Sequence, residues 1–352
     1  MAINQKKVFV VLLVIVVILG FLNLGKATGV LIKEQPSVMV VENTIELNSL
    51  TLEQKIAQMV IVHGGIHNLQ AWKKMQLGGI HLFAMLSPDS YKNTISTFQK
   101  DMAIPFFVTA DLEGCQNPFA EFYDSTPNSE ITSVEEAFEK GSVDGKRLHD
   151  LGFTVNFAPV VDLDDQIWKC RSFSNDVAGF ARSYIEGLQG EGIIATAKHY
   201  PGKTLVVKDP HKFIVGATIS YDDVAPYTLL SDVVDSVMVS HLITTGHIDS
   251  GDIPSVVSPE VVGGLKEEFS GLIISDEINM LGLKNFYSTL DEMYIGVFLA
   301  GNDLVLNFGE DATEIERMIQ VVKAAVLEGK ISSEQIDASV TKILQAKGFV
   351  VS

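Results

Sequence analysis

From about residue 50 the chain alternates between two hydrophobic rhythms. Short, nearly continuous apolar runs fall at 59–62, 79–83, 105–109, 154–159, 193–197, 236–240, 272–275 and 303–306. Runs of this length bounded by turn-forming or charged residues predict buried strands. Between them apolar residues recur at three- and four-residue spacing, as at 134–151, 177–189, 261–269 and 290–300, which predicts helices packed by one face. Thr51-x-x-Gln54 is a capping-box pattern for a first helix, and helices near 311–328 and 332–347 are expected to close the chain. Strands alternating with helices imply a parallel sheet, which an open doubly wound fold and a closed (β/α)8 barrel could both provide.

The first 24 residues break the rhythm. Residues 8–24, VFVVLLVIVVILGFLNL, carry no charge and follow Lys6 and Lys7. Their length lies between a signal-peptide core and a membrane-spanning helix. Basic residues ahead of the run favour an inside amino terminus and an outside remainder. Gly25-Lys26-Ala27 is a poor cleavage site, so an uncleaved hydrophobic anchor helix is preferred over a cleaved signal, with residues 25–45 as a polar tether and 46–352 as a single folded domain. The expected location is extracytoplasmic, anchored to the membrane, or secreted if the segment is removed.

Composition narrows the functions. With 44 acidic against 26 basic side chains the net charge is −18, which argues against a nucleic-acid partner. The two cysteines, Cys115 and Cys170, form neither a disulfide framework nor a metal-ligand cluster; they could pair only if the fold brings them together, and separate thiols are the expectation.

Polar side chains then fall at the carboxyl end of one expected strand after another: His63, Asp111 with Glu113, Asp162, Lys198 with His199, His241 and Asp276. A barrel builds its active site at that end from several strands at once, so a single-domain (β/α)8 barrel of the TIM type is the expected fold. For any one of them a helix cap or a solvated strand end is the simpler explanation. The 193–211 stretch, IIATAKHYPGKTLVVKDPH, is the richest: an apolar strand runs into Lys198 and His199, then a Pro-Gly break and a loop bearing Asp209 and His211.

Lys198-His199-Tyr200-Pro201-Gly202 followed by Asp209-Pro210-His211 resembles the KHFPG…DSH signature of glycoside hydrolase family 3, in its single-domain β-N-acetylhexosaminidase branch. Thr109-Ala110-Asp111-Leu112-Glu113-Gly114 is similar to the family's D-x-E-G-G segment, Asn156 to Asp162 to its FAPVxD strand, and Arg171-Ser172-Phe173 to its RSF turn. Ser240-His241, Ser275-Asp276-Glu277 and Ala300-Gly301-Asn302-Asp303 resemble later strand ends. The loop departs in its middle, where Lys203-Thr204-Leu205-Val206 replaces the usual His-Gly-Asp-Thr and Pro210 replaces Ser.

The resemblance implies a retaining exo-hydrolase that removes terminal β-N-acetylglucosamine, with peptidoglycan fragments as the expected source. Asp276 would be the nucleophile, and the Asp209–His211 pair would take the acid/base role that larger relatives draw from a second domain. Asp111, Arg171, Lys198 and His199 would bind the sugar. The partner is then a glycan containing N-acetylglucosamine, and no metal or organic cofactor is implied. Three other readings stay open: a phosphorylase on the same site, a β-glucosidase-like activity, and a wall-sugar-binding protein that has lost turnover.

Overall fold

All eight expected strands form. In chain order they are β1 Val60–His63, β2 Gly79–His81, β3 Phe107–Ala110, β4 Val155–Asn156, β5 Ile194–Tyr200, β6 Ser236–Val239, β7 Leu272–Ser275 and β8 Val305–Asn307. The protein is seen here as a computed structural model that describes residues 32–163, 168–202 and 212–352. From β1 to β7 every strand pairs in parallel with its neighbour in sequence, and β8 returns to pair with β1, Val305 opposite Val60. Between β7 and β8 the contact narrows to an Ile274–Leu304 bridge, with the Ser275 amide donating to the Leu304 carbonyl at 2.8 Å. The result is a nearly closed α/β barrel of the TIM type. An open doubly wound sheet is ruled out because its first and last strands would not meet.

The helix boundaries follow local chemistry. Thr51 makes the full capping box with Gln54 at the start of α1, Leu52–Gln58. Ser133 accepts from the Glu136 amide to begin Val134–Leu151, and Gly152 ends that helix at φ 96°, a conformation that costs a glycine little. The expected boundaries at 290–300 are also those observed.

Residues Gln35–Ser352 form one compact unit. Its first residues lie at the amino-terminal face of the barrel. The Pro36 carbonyl accepts from the Gln54 and Gln76 side chains at 2.8 and 3.0 Å, and Thr44–Ile45 pairs in parallel with Val350–Val351. Nearby, the Lys347 amine donates to the Gly78 carbonyl at 2.8 Å, just ahead of β2, and to Gln58 Oε1 at 2.9 Å. Burial holds that amine's pKa well below the usual lysine range. The apolar segment 8–24, expected as an anchor, lies outside the described residues. Among the described residues no helix is long and apolar enough to cross a membrane.

Helices Val134–Leu151 and Val177–Gly190 cross the outside of β4 at close range because glycines face each other. A Cβ on Gly141 would stand 2.1 Å from the Tyr184 carbonyl oxygen, and one on Gly187 would stand 2.3 Å from that of Phe138. Backbone cannot yield as a flexible side chain can, so the helices would have to separate. Gly141→Ala is therefore expected to destabilise the domain by about 1–3 kcal/mol in urea unfolding. Gly190→Ala, where nothing lies within 4 Å, should leave stability unchanged or raise it.

Candidate active site

The carboxyl ends of the strands surround a cleft of about 560 Å³. Five of the seven side chains to which the motifs point line it: Asp111, Arg171, Lys198, His199 and Asp276. Asp209 and His211 lie outside the described residues. Lys198 and His199 are successive in β5, where regular pleating would turn them to opposite faces. The register of β5 against β6 shifts between Lys198 and Tyr200, and such a bulge re-aims side chains, so both reach the cleft.

Lys198 is the electrostatic centre. Its amine donates to Asp111 Oδ1 at 2.7 Å and is also ion-paired with Glu113. Arg171 Nη1 in turn donates to Glu113 Oε2 at 3.3 Å. Burial alone would lower the lysine pKa, but the Asp111 and Glu113 carboxylates override it and the value is raised. Asp111 shows the converse: burial pushes its pKa up, and Lys198 and His81 bring it below the ordinary value. Its side chain is still 38% exposed through the cleft mouth, so the ion pair outweighs desolvation there. The arrangement keeps the Lys198 amine and the Asp111 carboxylate charged, and both carboxylate–lysine contacts line the cleft, where a polyhydroxylated ligand would share them.

His199 is held from behind. Asp162 accepts from its Nδ1 at 3.0 Å and from its backbone amide at 3.1 Å, while Tyr227 donates to the same carboxylate at 3.4 Å. Burial would raise the Asp162 pKa, yet these bonds hold it below the usual carboxylate range. An ionised Asp162 fixes the proton on Nδ1 and leaves Nε2 as the ring's other hydrogen-bonding atom. Asp162 thus orients and does not itself line the cleft.

Asp276 follows β7, and its amide donates to the Val239 carbonyl at 3.0 Å, extending the β6–β7 ladder by one step. One carboxylate oxygen accepts from the Glu277 amide at 2.8 Å. The next helical turn, Leu281–Lys284, is preceded by Met280, so Asp276 is not a helix cap. His241 donates from Nε2 to the Glu277 carbonyl at 2.8 Å, and His63 stands at the rim with Glu310 at 2.7 Å.

Two features lie beyond the residues the motifs single out. The first is His81, on β2, stacked between Phe157 and Phe308 with ring centroids at 5.7 and 4.6 Å. Its Nδ1 is 2.9 Å from Thr109 Oγ1 and its Nε2 is 3.5 Å from Asp111 Oδ2. Burial pushes its pKa down to about 4, with Asp111 opposing the shift and Lys198 and His63 adding to it. An imidazole inside the apolar run Gly79-Ile80-His81-Leu82-Phe83 was the available signal. The second corrects an expectation: Cys115 and Cys170 are not separate thiols but form a disulfide, with Cα atoms 5.8 Å apart. The loops after β3 and β4 meet at the cleft, which a sequence separation of 55 conceals.

This site and fold agree with a family model, the glycosyl hydrolase family 3 N-terminal domain, that matches residues 51–346. The chain belongs to glycosyl hydrolase family 3. Among family 3 relatives it is 29% identical over 304 residues to a Cellulomonas fimi protein named beta-N-acetylglucosaminidase/beta-glucosidase, covering 78% of this chain and 52% of that one. It is 28% identical over 223 residues to beta-hexosaminidase LpqI of Mycobacterium tuberculosis, covering 58% of this chain and 56% of that one. The chain thus spans about half the length of the curated relatives it matches. A solved family 3 glycosyl hydrolase from Mycobacterium smegmatis superposes with a TM-score of 0.78 at 25% identity, covering 87% of this chain and 99% of that one.

For this family 3 barrel the buried imidazole gives a pH signature. His81 has a folded-state pKa of about 4 against 6.5 in the unfolded chain, so the unfolded state takes up the extra proton on acidification. Its stabilisation is fully present above pH 6.5 and is lost as the pH falls toward 4. Unfolding free energy measured across that window should drop by about 3 kcal/mol more for the wild type than for His81→Leu.

Proposed function

We propose that the chain is a retaining exo-β-N-acetylhexosaminidase acting on terminal β-linked N-acetylglucosamine. The observation that carries this reading is the meeting of Asp276 with the Asp111–Lys198–Glu113–Arg171 charge cluster and His199 in one cleft of a family 3 barrel. The names of the Cellulomonas and mycobacterial relatives support the sugar.

In this mechanism the ionised Asp276 attacks the anomeric carbon and forms a glycosyl-enzyme. His211 gives a proton to the departing oxygen and then takes one from the water that releases the sugar, while Asp209 orients the imidazole. Asp111, kept ionised by Lys198, accepts from sugar hydroxyls. Lys198, Arg171 and His199 donate to the ring substituents. The displacement needs no metal or organic cofactor.

An extracytoplasmic setting completes the proposal, with residues 8–24 as the membrane anchor and peptidoglycan fragments as the source of the sugar. Two observations support it: the uncharged run behind Lys6 and Lys7, and a disulfide, a bond that persists in oxidising surroundings.

Hydrolysis of the nitrophenyl β-N-acetylglucosaminide tests the reading, run with and without phosphate. Asp276→Asn should lower kcat by roughly 10³-fold or more, and His211→Ala by about 10²- to 10⁴-fold. Sugar 1-phosphate appearing with phosphate would make the protein a phosphorylase. Sugar binding without any turnover would make it a binding protein and place the cause in the loop that carries Pro210.

A further inference from the structure

The two sides of the cleft near Arg171 are built unequally. Lys198 belongs to a barrel strand, paired on both sides. Glu113 and Arg171 sit on loops that leave different strands, and 58 positions of sequence separate them. The Glu113 loop is a tight turn, its amide donating to the Gln116 carbonyl at 2.8 Å, with Gly114 at φ 77°. Across from it, the Arg171 carbonyl accepts from the Asn128 side chain at 2.8 Å and Ser172 bridges to Val160. Cys115 lies two residues after Glu113 and Cys170 immediately precedes Arg171. The disulfide is therefore the covalent tie between the two loops at the point where their charges meet.

We propose that the Cys115–Cys170 disulfide is a positioning element of the cleft: it holds Arg171 against Glu113, and ligand binding depends on the bond being closed. The proposal rests on the reading of this cleft as the sugar site. Arg171 and Glu113 are both buried, and a buried ion pair is stable only while its geometry is enforced. With the bridge open, Glu113 keeps Lys198 as its partner, and the Arg171 loop can turn its guanidinium toward water. The barrel strands pair through ladders that do not include the bridge, so the barrel stays folded when the bridge is open.

The bond is also reachable. Cys115 is exposed and Cys170 half-buried, so a dithiol can attack without prior unfolding. One cyclising dithiol reduces one bridge. Its thiolate attacks one sulfur to form a mixed disulfide, and its second thiol displaces the protein sulfur. Two electrons and two protons end on Cys115 and Cys170, and the reagent leaves as its own cyclic disulfide.

The test compares the oxidised full chain, the same protein after dithiol treatment, and the Cys115→Ser/Cys170→Ser double variant. All are assayed well below the melting temperature of the reduced form, with KM and kcat separated for the nitrophenyl glycoside. Reduction should raise KM by about tenfold or more. Removal of the dithiol and reoxidation should restore it, and the double variant should match the reduced protein and ignore the reagent. A lower melting temperature with unchanged KM and kcat would overturn the proposal, leaving the bridge as a staple for stability alone. Should the oxidised protein neither hydrolyse the glycoside nor bind N-acetylglucosamine, the sugar reading fails, and amide hydrogen exchange decides the remaining claim. Faster exchange on reduction confined to residues 113–118 and 168–173, with β5 unaffected, would uphold the clamp. Unchanged exchange in both segments would overturn it.

Discussion

A lysine buried at a strand end stays charged only if carboxylates accompany it, and Lys198 imposes that requirement on everything around it. Its partners cannot come from its own strand. Asp111 and Glu113 arrive from the end of β3, two strands away, and Arg171 arrives from the loop after β4 to balance Glu113. Removing one member would strand a buried charge, an outcome that costs far more than the net worth of an intact pair. The cluster therefore does little for stability as a whole. What it provides is an array of donors and acceptors already held in place by one another before a ligand arrives.

Barrel geometry is what makes such an array possible. Inward-facing side chains from alternate strands share a layer, so β3 and β5 can meet across β4. The bulge at His199 adds a neighbour that pleating would have sent outward, and Asp162, one layer back, fixes its ring. His81 fills the position next to Asp111 with a neutral imidazole stacked between two phenyl rings, so the carboxylate has that imidazole on one side and the Lys198 amine on the other. The polar side chains of the cleft come from strand ends and loops, while two of the helices outside pack closely through Gly141 and Gly187.

The parts of this design legible in the sequence are those with a local cause. Apolar runs and helical spacing located the strands and helices, and polar residues at the ends of those runs marked the cleft. Errors of one to three residues arose at the strand ends, some where an atom had another obligation. Met59 closes α1 instead of opening β1, and the carboxylate of Asp303 accepts from the Ile273 amide and the Ser339 hydroxyl ahead of β8. The disulfide had no local cause. Cys115 and Cys170 each look solitary, and only the parallel departure of β3 and β4 toward the same face brings them together. His81 was visible as an oddity in an apolar strand, but its partner Asp111 belongs to a different strand. Asp162 had the look of a cap because its acceptor role is played toward a residue 37 positions later.

The chain joins the barrel at the amino-terminal face, where Pro36 is gripped by Gln54 and Gln76 and Thr44–Ile45 lies beside Val350–Val351. The cleft opens at the opposite pole. The first described segment and the cleft therefore lie at opposite ends of one barrel axis, so the packing that holds residues 35–45 does not have to give way when the mouth of the cleft is filled.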